Sequence, residues 1–182
     1  MHDHLETSPR LNAKAALLAG VVAGAAFMML EMIMVPVFLG GSPWGPPRMI
    51  AAIGMGNGVL PPPATFDLGI MVVAMLIHFA LSVILAFLFA FLFTFIGKRD
   101  AVGLAIGLGA VFGLIVYLIS FYGMTEIFPW FAMARHWVSI FAHLVFGAVL
   151  GWVYVSVARK SAENMTSVHQ DDPDARTARP QR

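Results

Sequence analysis

Four uninterrupted apolar runs, 13–39, 68–96, 101–122 and 137–158, take up most of the chain. A bilayer's hydrocarbon core of roughly 30 Å is crossed by about 20 helical residues rising about 1.5 Å each. Every run meets that length. A backbone in lipid must satisfy its own polar groups, so the spanning form is helical. The expected fold is all-α, an integral membrane four-helix bundle, with residues 13–158 as a single membrane domain.

The remaining residues agree. Hydrophobic residues make up 59% of the chain and charged ones 12%, outside the range of water-soluble domains. Residues 1–12 and 159–182 are polar and without apolar periodicity, and are read as an N-terminal tail and a disordered C-terminal tail. The first run is too long for a signal-peptide core, and it contains Glu31. The absence of cysteine excludes disulfides and thiolate chemistry.

Basic residues near the runs are unevenly placed. Arg10, Lys14, Lys98, Arg99, Arg159 and Lys160 fall on one side of the membrane, and only Arg48 and Arg135 on the other. The positive-inside rule then puts both termini in the cytoplasm. A bacterial inner membrane is the expected location.

The two halves resemble each other. Gly24-Ala25-Ala26-Phe27 aligns with Gly109-Ala110-Val111-Phe112, Pro43-Trp44 with Pro129-Trp130, and His78 with His143. Small residues follow each histidine at four and eight positions: Ser82 and Ala86, then Gly147 and Gly151. Two similar hairpins in parallel repeat are expected, related by an axis along the membrane normal, with the histidines as symmetry partners. The first outer loop carries an insertion. There, Arg48–Met55 reads as a short interfacial helix begun by Pro47 and stopped by Gly56.

Small residues let helices approach closely in lipid, where burying apolar surface brings little gain. Gly20 and Gly24, Gly109 and Gly113, and Gly147 and Gly151 therefore mark helix-packing faces. Glu31, His78, Tyr117, Ser120 and His143 fall on those same faces, in the outer half of the membrane. Ionisable groups are costly in hydrocarbon and occur there with partners, so these five form a candidate buried polar cluster, a ligand or proton site.

Three functions fit that cluster. The favoured one is a non-enzymatic accessory subunit or small carrier, with no cofactor. The second is a haem or metal protein in which His78 and His143 supply the ligands from facing helices. The third is a small transporter coupled to protons or sodium through Glu31. Methionine and histidine stripes suit Cu(I), but methionine is also a common filler of packing gaps. No phosphate-binding loop, zinc-protease motif, nucleophile elbow or basic nucleic-acid patch occurs. The expected partners are the lipid bilayer and either further copies of the chain or a larger membrane complex, with no nucleic acid.

The block Arg48-Met49-Ile50-Ala51-Ala52, the stretch from Val59 through Pro61-Pro62-Pro63 to Asp67, and His78-Phe79-Ala80-Leu81-Ser82 resemble a loose family of uncharacterised four-helix bacterial inner-membrane proteins. The resemblance covers about residues 13–158 and implies no activity or functional residues. Some chains of this look are labelled sodium:proline symporters. Symporters with broken helices use inverted repeats of many spans, whereas this chain offers four spans in parallel repeat.

Overall fold

The computed structural model describes residues 11–96 and 101–170, with side chains through Asn164. It is helical and, among the described residues, contains no strand. Helix α1 spans Ala13–Leu39, α2 Gly45–Met55, α3 Leu68–Thr94, α4 Val102–Leu118 and α5 Trp137–Gln170. Four helices are long and apolar enough to cross a membrane: α1, α3, α4 with its continuation to Glu126, and α5.

The helix ends follow from local chemistry. Asn12 caps α1 by accepting from the Ala15 N–H at 2.9 Å, and Asp67 caps α3 by accepting from the Ile70 N–H at 2.9 Å. At the far end of α1, Gly40 takes the left-handed conformation (φ 67°) and closes the helix. The short helix α2 carries Pro46 and Pro47 in its first turn, where a missing N–H costs nothing, and stops at Gly56.

Helix α2 begins at Gly45 rather than Arg48 and α3 ends at Thr94 rather than Ile96; two other boundaries differ more. The fourth span runs on as helix to Gln170, so residues 159–170, read as part of a disordered tail, are helical. Nothing in Arg159–Gln170 breaks a helix, since that stretch has neither Gly nor Pro; residues 171–182, the rest of that tail, and residues 1–10 lie outside the described residues. The third span leaves α-helical geometry at Ile119 for one wide π turn through Gly123, followed by short 3₁₀ segments at Met124–Glu126 and Pro129–Ala134. The π turn has a local partner: the Phe121 carbonyl accepts from Arg135 Nε at 2.6 Å.

Small residues make up much of the interior, alongside larger ones such as Leu150, Phe89 and Phe146, and large residues dominate the exterior. Ala15, Ala16, Ala19, Ala23, Ala86 and Ala105 are fully buried or nearly so, while Leu76 (68% exposed) and Ile84 (61%) face outward. In lipid that order makes sense: large apolar chains have no reason to leave the hydrocarbon, and small ones bring backbones together. A Cβ placed on Gly109 would collide with the Gly147 carbonyl, and one on Gly113 with that of His143. Gly151 lies as close to the Ala105 carbonyl on α4, while Gly20 approaches Val83, Ala86 and Ser82 on α3, and Gly24 approaches Ser82, less tightly.

The repeat is thus expressed within each hairpin, Gly24 meeting Ser82 as Gly109 meets Gly147. Between the hairpins the packing is one-sided. Helix α1 lies along α5, whereas α3 and α4, the pair that a two-fold axis would make equivalent, barely touch. A physical reason lies in the aligned residues. Ala19 and Ala23 of α1 are fully buried, but Leu104 and Leu108 stand at the matching positions of α4 and are too bulky for a close approach. The helices therefore follow the order α3, α1, α5, α4, and a gap is left between the outer two.

Candidate functional site

Near α2, that gap widens into a cavity of about 530 Å³. Its walls are α1 (Phe27, Glu31, Val35), α3 (His78, Leu81, Ser82, Leu85), α4 and its π turn (Val116, Ser120, Phe121) and α5 (Ser139, His143, Phe146). Helix α2 and the connection between α4 and α5 cover one end through Met49, Ile50, Ile53, Phe128, Phe131 and His136. Farther from α2, Phe89 of α3 and Phe112 of α4 close the gap, ring centroids 5.5 Å apart.

Four of the five residues in the expected cluster line this cavity: Glu31, His78, Ser120 and His143. Tyr117 does not. It is buried beside His143, ring centroids 5.6 Å apart, and is hydrogen-bonded with Tyr122.

Glu31 on α1 is 4% exposed, and its Oε1 accepts from the Ser139 hydroxyl at 2.8 Å. Ser139 is the hub of the site. Its hydroxyl serves Glu31, its carbonyl accepts from His143 Nδ1 at 2.7 Å, and its N–H reaches His136 Nδ1 at 3.3 Å. The sequence reading did not single out Ser139, although a signal was present: Ser139, His143, Gly147 and Gly151 repeat every four residues along one stripe of α5.

The hydrogen bonds fix the tautomers. His143 Nδ1 faces a carbonyl and so must carry the proton, leaving Nε2 as a bare acceptor. His78 Nε2 lies 2.9 Å from the Gly24 carbonyl and likewise must donate, leaving Nδ1 bare. Among the described residues neither bare nitrogen has a hydrogen-bond partner, and both histidines line the cavity. Phe27, also not foreseen, packs on both rings, stacked on His78 at 5.6 Å and edge-on to His143 at 4.7 Å.

Among the described residues no group of three or more His, Asp or Glu side chains is placed to hold a metal ion.

The covering end is fastened by side chains reaching for carbonyls. Arg48 donates from Nη1 to Val59 O at 2.7 Å and from Nη2 to Thr65 O at 2.9 Å. Trp130 Nε1 donates to Met49 O at 3.1 Å, joining the second loop to α2. Burial holds the His136 imidazole below its ordinary pKa of 6.5.

Four apolar helices with lipid-facing exteriors define a multi-pass membrane protein. No protein-family model, curated protein or solved structure matches the chain.

Proposed function

We propose that this is a non-enzymatic ligand-holding protein of the bacterial inner membrane, acting as a small carrier or as the binding subunit of a larger membrane complex. The observation that carries the reading is the cavity of about 530 Å³ with Glu31, His78 and His143 converging on it from three helices. Small-molecule sites have volumes of roughly 300–1,000 Å³, apolar walls and a few convergent polar groups. The gap between α3 and α4 offers entry from the side, which suits a ligand that arrives dissolved in lipid. In this reading both ends of the chain are cytoplasmic and α2 caps the outer face, in keeping with the six basic residues near the membrane on one side and two on the other.

The test is ligand recovery. Protein taken from its host membranes into nanodiscs should yield, on extraction and mass spectrometry, a bound lipophilic compound. A Val116→Trp variant, which fills the cavity from α4, should lose it and should also stop binding a neutral fluorescent probe such as N-phenylnaphthylamine. Wild-type protein that carries no compound and shows no saturable probe binding would overturn the reading.

A further inference from the structure

The cavity's polar groups specify the charge of what enters it. Resting on the reading that the cavity holds a lipophilic ligand, we propose that the ligand is an organic cation, bound at Glu31 in exchange for a proton.

Among the described residues Glu31 is the only acidic residue lining the cavity, and neither lysine nor arginine lines it. Among the described residues its one hydrogen bond is the Ser139 hydroxyl, which leaves Oε2 open. The arginines of the covering end are engaged elsewhere. Arg48 holds Val59 and Thr65 carbonyls, and Arg135 holds the Phe121 carbonyl while lying 4.5 Å from the centre of the Tyr122 ring. An ionised carboxylate in apolar surroundings requires a counter-charge. The walls supply none, so either a proton or a positively charged ligand must.

The histidines on α3 and α5 select the same sign. His78 and His143 line the cavity, and each ring's N–H is spent on a backbone carbonyl, which leaves one bare acceptor nitrogen on each. A ligand bearing an anion or a carbonyl would meet these acceptors, the donors in the lining being serine hydroxyls and the Nε2–H of His136, whereas an ammonium or another N–H-rich cation finds partners. The rings of Phe27, Phe121, Phe131 and Phe146 line the cavity as well. Aromatic faces attract desolvated cations and also accept the ligand's apolar bulk.

Proton and cation thus compete for one carboxyl. The protonated Glu31 gives up its proton, and the resulting carboxylate pairs with the incoming cation, so one positive charge leaves for each that enters. The titratable groups lining the cavity with Glu31 are His78 from α3 and His136 and His143 at α5; Tyr117 of α4 stands behind His143, and α2 brings only Arg48.

Calorimetry on the full-length protein in nanodiscs tests this, with tetraphenylphosphonium as cationic probe and N-phenylnaphthylamine as neutral one. Cation affinity should rise by about tenfold per pH unit while Glu31 is protonated, as one-for-one exchange requires. A weakly buffered sample should release close to one proton per cation bound. Glu31→Gln should abolish the release and weaken the cation by at least about tenfold, while the neutral probe, having no charge to match, changes by no more than about twofold. Neutral-probe binding by that variant doubles as its folding control, and the proton count on wild type needs no variant. If the neutral probe binds but the cation binds without pH dependence or proton release, the exchange is refuted and the cavity reading stands. If neither probe binds saturably, both fail.

Discussion

Ser139 on α5 donates its hydroxyl hydrogen to Glu31 on α1 across 2.8 Å, and both side chains are buried. This bond joins the two hairpins through a chain of hydrogen bonds that continues to His143 and His136. Removing the donor leaves a buried carboxyl oxygen unpartnered, at a cost of about 1–3 kcal/mol. Ser139→Ala should therefore lower the thermal unfolding midpoint in mild detergent, whereas Ser120→Ala, which removes a cavity-lining hydroxyl with no such bond, should scarcely move it. Equal effects of the two would show that the Glu31 bond contributes nothing.

Gly147 sits where α4 and α5 touch backbone to backbone, while a Cβ on Gly107 would meet nothing within 4 Å. Gly147→Leu should push the second hairpin apart at about 3 kcal/mol, the upper end for overpacking. Gly107→Ala should be neutral or stabilise by up to about 1 kcal/mol, since alanine favours helix. Size-exclusion profiles after graded heating would separate them. A Gly147→Leu protein as heat-resistant as wild type would contradict the packing described above.

The covering end should loosen when its side-chain anchors go. Arg48→Ala deletes the bonds to Val59 and Thr65 carbonyls, and Trp130→Phe deletes the bond to Met49. Each bond contributes about 0.5–1.5 kcal/mol locally. Hydrogen exchange in α2 and in residues 57–67 should quicken in both variants, with that in α5 unchanged. Uniform acceleration across the chain would instead mean that the anchors support the whole fold.

His136 precedes α5, and its Nδ1 accepts from the Ser139 N–H as a helix cap. Burial favours the neutral ring in the folded state, so the unfolded chain binds a proton first as pH falls below about 6.5. Stability contributed by this group is full above that pH and declines below it until the folded ring titrates too. His136→Asn keeps an acceptor and cannot titrate. Its unfolding midpoint should consequently fall less than that of wild type between pH 8 and pH 5; parallel losses would assign the acid sensitivity to other groups.

The natural chain lacks cysteine, so single introduced cysteines report topology without background. Exposed Asn57 in the first loop and exposed Glu163 near the end of α5 are suitable positions. In intact cells a membrane-impermeant maleimide should label Asn57→Cys and spare Glu163→Cys. The opposite pattern would invert the orientation proposed here.

Sequence alone determined the four spans, the first-loop helix and the packing glycines, because each rests on a local rule: run length against bilayer thickness, proline at a helix start, and small residues where backbones must meet. The stripe rule also carried Glu31, His78 and His143 to one place, since residues four apart share a helix face. Only the tertiary structure decided that Tyr117 stands behind the site, that Ser139 and Phe27 hold it together, and that α3 and α4 part to make the cavity. Those outcomes depend on which helices become neighbours. That choice turns on the bulk of Leu104 and Leu108 against the small surface of Ala19 and Ala23, a comparison between distant segments that no single helix contains.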